Sequence, residues 1–132
     1  MAVTITNIVN ANSTAVFTAS GSVAVTDIVI FNNDSHADSH FHWKLNLVPS
    51  GDSVTVNNLL FDSDGGSGFS VPISYGSNIH VNTVSGMVAN KWLLANGDKF
   101  YIDLDATSNS SGTWSGSPTT VPVNVFVNYM SL

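Results

Sequence analysis

At 132 residues, with nine Asp, three Lys and a formal net charge of −6, the chain has the size of one domain and an acidic surface. It contains no Arg, Glu, Gln or Cys. The absence of Arg and the negative balance remove the electrostatic basis for gripping a nucleic-acid backbone, and the absence of Cys excludes disulfides and Cys-ligated zinc modules.

Glu, Arg and Gln are good helix formers, and Val, Thr, Ser, Asn and Gly stand in their place, residues suited to strands and turns. Surface scaling leaves roughly 6,700 Å² exposed out of roughly 20,000 Å², enough burial for a core without staples. Residues 2–9 open the chain with Val3, Ile5 and Ile8 set among Thr4, Thr6 and Asn7, a first strand. This opening has neither the basic nor the continuous apolar region of a signal peptide, and no apolar run reaches a membrane span, so neither leader nor anchor is expected. Residues 14–19 and 22–31 flank Ser20-Gly21, a turn compatible with a hairpin. Residues 32–38 are polar and turn-rich and read as a surface loop. Residues 39–48 form the clearest half-buried strand, with Phe41, Trp43, Leu45 and Leu47 on one face and His40, His42, Lys44 and Asn46 on the other.

After the turn Pro49-Ser50-Gly51-Asp52, Val54 and Val56 followed by Leu59, Leu60 and Phe61 predict a strand whose alternation shifts near Asn57-Asn58, where a bulge fits. Residues 62–68 are Gly-rich and read as a loop tip, with short strands at 69–75 and 79–84. Residues 87–94 fit a helical turn as well as a strand. Asn96-Gly97-Asp98 is a turn that launches a strand with Phe100, Ile102 and Leu104 inward and Lys99, Tyr101, Asp103 and Asp105 outward. A Ser/Gly/Thr-rich span at 107–120 holds one large side chain, Trp114, and Val121, Val123, Val125, Val127 and Tyr129 alternate into a last strand. Many short strands without a βαβ rhythm or an internal repeat predict a single all-β domain over 1–132, an antiparallel β-sandwich of jelly-roll type.

The chemistry-bearing residues are few. His36, Asp38, His40 and His42 form the one cluster with metal-ligand character, since His40 and His42 share a strand face, the loop can bring the other two over, and only His80 could add a fourth imidazole. The plainer reading makes them solvated residues opposite Phe41 and Trp43, and no metal or cofactor is expected. Asp62-Ser63-Asp64-Gly65 begins like a calcium loop, but Gly66 and Ile73 occupy the positions that need ligands. Asp103 and Asp105 share a strand face, a spacing common on solvated strands. No nucleophile elbow, phosphate loop, dinucleotide fingerprint or zinc-protease motif is present, so the chain reads as non-enzymatic. Among Trp43, Trp92, Trp114 and Tyr75, Trp43 reads as core, and Trp114 is the candidate exposed aromatic for a sugar-binding platform.

The layout resembles the small all-β virion proteins of tailed bacteriophages, the capsid decoration or cement proteins. The resemblance rests on Ile28-Val29-Ile30-Phe31-Asn32, Leu47-Val48-Pro49-Ser50-Gly51-Asp52, Asn57-Asn58-Leu59-Leu60-Phe61, and Leu93-Leu94-Ala95-Asn96-Gly97-Asp98 leading into Phe100-Tyr101-Ile102-Asp103, in that order over about residues 22–105. It implies a β-sandwich on the capsid surface of a virion that binds the major capsid protein and forms a homo-oligomer, a trimer in the favoured case, with no nucleic-acid or membrane contact. Strand addition at either end strand is a route to such contacts. A carbohydrate- or receptor-binding module, or a tail-associated subunit, is the alternative.

Overall fold

The structure, a computed structural model, describes residues 2–8, 13–33, 40–63, 73–74, 77–84, 91–107 and 123–132. Among the described residues ten strands are built from the alternating segments: β1 (Ala2–Ile8), β2 (Thr14–Thr18), β3 (Val23–Asn32), β4 (His40–Val48), β5 (Leu59–Asp62), β6 (Ile73–Ser74), β7 (Asn78–His80), β8 (Trp92–Leu94), β9 (Lys99–Thr107) and β10 (Val123–Ser131). They form two antiparallel sheets packed face to face. Sheet A runs β1-β10-β3-β7, with β8 also paired to β3, and sheet B runs β2-β9-β4-β5, with β6 also paired to β4. The protein is an all-β sandwich. Among the described residues no helix is long and apolar enough to cross a membrane.

The core is the set of side chains that the period-2 pattern turns inward. Val23, Val25, Ile28, Ile30, Val123, Val125 and Val127 of sheet A meet Trp43, Leu45, Phe100, Ile102 and Leu104 of sheet B, all buried. Aromatic pairs fasten the core: within sheet B Trp43 stacks on Phe61 with centroids 4.8 Å apart, and across the layers Trp92 of sheet A meets Phe100 of sheet B edge-on at 5.4 Å. Phe17 of sheet B touches Tyr129 of sheet A at 4.9 Å. Asn32, fully buried at the end of β3, donates from Nδ2 to the Ile73 carbonyl at 3.0 Å and so ties the two sheets together.

Ser20-Gly21 does not close a hairpin. β2 pairs with β9 and β3 with β10, so the turn carries the chain from sheet B to sheet A. Its polar backbone is satisfied by another turn instead of by a ladder: Ala19 N–H donates to the Asp98 carbonyl at 2.8 Å, Gly97 N–H to the Ala19 carbonyl at 2.9 Å, and Gly21 N–H to Asn96 Oδ1 at 2.8 Å. Asn96-Gly97 likewise crosses between sheets, from β8 to β9, with Gly97 at φ +89°. The Asp98 carboxylate accepts from Ala95 N–H at 2.9 Å and from Ser50 N–H at 3.0 Å, which joins a third turn to the same end of the sandwich.

Val54 and Val56 belong to no strand and are exposed, Val56 at 81 %. Local capping wins over their β propensity: Thr55 Oγ1 accepts from Asn57 N–H, Asn58 Oδ1 accepts from Thr55 N–H, and a 3-10 turn forms at Val56–Asn58. The bulge falls slightly later, at Leu60, because Leu45 faces Phe61 while Asn46 faces Leu59. Of the segment expected to be a strand at 79–84, only its start continues β7, and a second 3-10 turn occupies Val81–Thr83. At 87–94, Trp92–Leu94 is strand, and 85–90 lie outside the described residues.

Candidate interaction surface

Sheet A presents an outer face whose side chains follow from register. In β10 the inward Val123, Val125 and Val127 leave Asn124, Phe126 and Asn128 outward. In β3 the run Ile28-Val29-Ile30-Phe31 is apolar on both faces, so with Ile28 and Ile30 inward, Val29 and Phe31 face out and are half-buried. An irregularity at Thr26 resets the alternation, so Val25 and Ile28 both point inward while Ala24 and Asp27 share the outer side.

The phase of β1 is the reverse of what its large residues suggest. Ile8 is inward at 1 % exposure, which by parity turns Thr4 and Thr6 toward the interior and Val3 and Ile5 out, 52 % and 64 % exposed. Ile5 pairs with Phe126, Phe126 with Val29, and Val29 with His80, so one transverse row of the face is Ile5, Phe126, Val29 and His80. With strands about 4.8 Å apart, this row spans about 14 Å. Asn7, Asn124, Phe31 and Asn78 make the next row, and Val3, Asn128 and Asp27 the one on its other side. Beyond them lie Met130 and Leu93, both paired to Ala24 and exposed at 42 % and 78 %.

The electrostatics of the two outer faces differ. Across its five strands sheet A carries one Asp or Lys, Asp27, whose Oδ2 is 2.9 Å from His80 Nδ1. The strands of sheet B carry Lys44, Asp62, Lys99, Asp103 and Asp105, and Lys44 is flanked in register by Asp62 and Asp103. Sheet B thus offers a charged face, and sheet A an apolar face bordered by neutral amides and the Asp27–His80 pair.

Of the residues singled out for chemistry, those among the described residues are dispersed. His42 is half-buried on sheet B, with Nδ1 3.2 Å from Ser63 Oγ, and Ser63 Oγ in turn accepts from Trp43 N–H at 2.7 Å. His42 is therefore engaged in fastening β4 to the end of β5. His80, the one candidate for a fourth imidazole, lies on sheet A beside Asp27. His36 and Asp38 lie outside the described residues, as do the His40 and Asp105 side chains, Asp64 and the rest of its glycine-rich loop, Tyr75 and Trp114. Among the described residues no three metal-ligating side chains come together. Trp43 and Trp92 are both core, at 0 % and 5 % exposure.

A cleft of about 430 Å³ opens at the seam where β1 of sheet A and β2 of sheet B run side by side. Thr4, Thr6, Phe17, Thr18 and Tyr129 line it, and Thr6 Oγ1 donates to the Val16 carbonyl at 3.2 Å. Thr4 Oγ1 is buried with no hydrogen-bond partner among the described residues. Composition gave no sign of this surface. The usable sequence signal was the four-residue apolar run of β3, which marks a strand built to be covered on both sides. No family model matches the chain, and neither a curated protein nor a solved structure matches it.

Proposed function

We propose that the chain is a structural subunit of a tailed-phage virion, a capsid decoration protein of jelly-roll type that docks on the major capsid protein through the outer face of sheet A and assembles as a multimer. The observation that carries the reading is the contrast between the faces: a nearly charge-free row of Ile5, Phe126 and Val29 on one side, and Lys44 between Asp62 and Asp103 on the other. Contiguous apolar surface of this kind marks interaction sites on folded proteins. The winding supports the jelly-roll reading, because β1, β2, β3 and β4 alternate between the sheets. A subunit that reinforces a shell needs many modest contacts from a stiff scaffold, and a sheet face without long, flexible cations offers them at small entropic cost.

The test is co-sedimentation of the purified chain with heads and, separately, with tails of the phage that encodes it. Saturable binding to heads at a fixed ratio to the major capsid protein is expected. Binding to tails alone, or to neither particle, overturns the decoration reading. In the second case, glycan-array binding lost in Trp114→Ala would identify a carbohydrate-binding module.

A further inference from the structure

Among the described residues the unpaired strand edges of the sandwich are of four kinds, and they are not equivalent. β7 and β8 are three residues each and β6 is two. β5 is four residues and ends in Asp62. β2 is five residues with an irregular register at Ala15–Phe17. These are short, charged or bulged, which are the ways folded proteins blunt an edge. β10, the last strand of the chain, lies between β1 and β3 and has no edge to offer.

β1 has none of the protections. It is seven residues, paired with β10 in unbroken register from Ala2–Tyr129 to Ile8–Val123, and Ala-Val-Thr-Ile-Thr-Asn-Ile contains no charge, Pro or Gly. Among the described residues its other edge pairs with nothing. A long, regular, uncharged edge is a template for a further strand.

We infer that the occupant is a second copy of this chain, joined through antiparallel β1–β1′ pairing about a two-fold axis that sets Ile5 opposite Ile5′. The composition and register of β1 select it. β1 brings no charge of its own to such a contact, so a chain of net charge −6 can meet its copy there without setting like charges directly opposite one another. The Ile5-centred register pairs all seven residues, which places Thr4 opposite Thr6′. On the outer face the same register sets Ile5 against Ile5′, covering the two most exposed Ile side chains of the sheet. The pair makes a continuous sheet A, closes the seam between β1 and β2, and lays two apolar outer faces in one plane. That plane would raise avidity for a shell under the proposed function, but the pairing stands without it.

The test uses the full chain in solution. Light scattering across a wide concentration range should reach about twice 13.9 kDa. Ile5→Lys should give a monomer that still unfolds cooperatively, with a melting temperature independent of concentration where that of the parent rises with it, since it alters an exposed side chain and sets like charges face to face. Ile5→Asp should also be monomeric alone, and an equimolar mixture of the two should return to the dimer mass. Because the chain has no native Cys, Ile5→Cys should cross-link to itself on mild oxidation, whereas Val3→Cys should not. A wild-type monomer at every concentration, a trimer, or a dimer indifferent to Ile5→Lys overturns the inference. Each of these outcomes is read without any capsid, so failure here is separable from failure to bind heads.

Discussion

Asn46 is a polar side chain at 4 % exposure on the outer side of β4, and its burial is explained by the loop that folds over it. Its Nδ2 donates to the Thr55 carbonyl at 3.0 Å and to Asn58 Oδ1 at 2.8 Å. Asn58 completes the set, accepting from Thr55 N–H at 3.2 Å and donating to the Ser53 carbonyl at 2.8 Å. Asn46→Ala removes two hydrogen bonds worth about 0.5–1.5 kcal/mol each and strands the Thr55 carbonyl, for a loss of about 2 kcal/mol. Against a total stability of about 5–15 kcal/mol, this should lower the melting temperature by about 6–8 °C for a domain of this size. Asn46→Asp keeps the shape but turns acceptors toward two acceptors, so it should cost at least about 1 kcal/mol more than Ala. Urea unfolding followed by Trp fluorescence measures both. An Ala variant within about 0.5 kcal/mol of the parent, or an Asp variant as stable as Ala, would refute the assignment of the loop's anchorage to this amide.

Other substitutions probe the turns and the sheet end. Gly97→Ala should destabilise more than Gly51→Ala, by about 1 kcal/mol in thermal unfolding: both have positive φ, +89° and +86°, but a Cβ at Gly97 would lie 2.5 Å from Ser50 Oγ while one at Gly51 meets nothing within 4 Å. Ser63→Ala should cost about 1–3 kcal/mol in urea unfolding, because the buried Trp43 N–H loses its acceptor, and Ser63→Thr should restore part of it. Asp98→Ala frees the N–H groups of Ala95 and Ser50, and hydrogen exchange should accelerate at those two amides with little change in the core of β10.

How much of this was legible in sequence depended on whether the alternation was clean. The strands carrying Trp43 and Leu45, Phe100 to Leu104, and Val123 to Val127 read directly, because each places large side chains on one face and polar ones on the other. β1 misled: its three Thr and Asn side chains and its three large aliphatics do not share one phase, and only the long-range pairing with β10 shows that Ile8 sets it. The Ser20-Gly21 and Asn96-Gly97 turns were recognisable as turns, but their destinations depend on partners 75 or more residues apart in the case of Gly21 and Asn96, which local composition does not encode. At 54–58 the hydrophobic pattern pointed to strand, and the Thr55–Asn58 capping box took precedence. The candidate surface was half visible. Val29 and Phe31 stood in plain sight within an apolar run, but their row with Ile5 and Phe126 exists only once the register is known.

The most direct test of the docking claim is binding of face-specific variants to phage heads. Leu93→Asp and Met130→Asp place charge on exposed positions of the sheet A face, away from the β1 edge, while Tyr101→Ser alters sheet B. Each Asp should weaken head binding by at least about tenfold, equivalent to about 1.4 kcal/mol, and Tyr101→Ser should leave it unchanged. Loss of binding in Tyr101→Ser, with Leu93→Asp and Met130→Asp binding like the parent, would contradict the account.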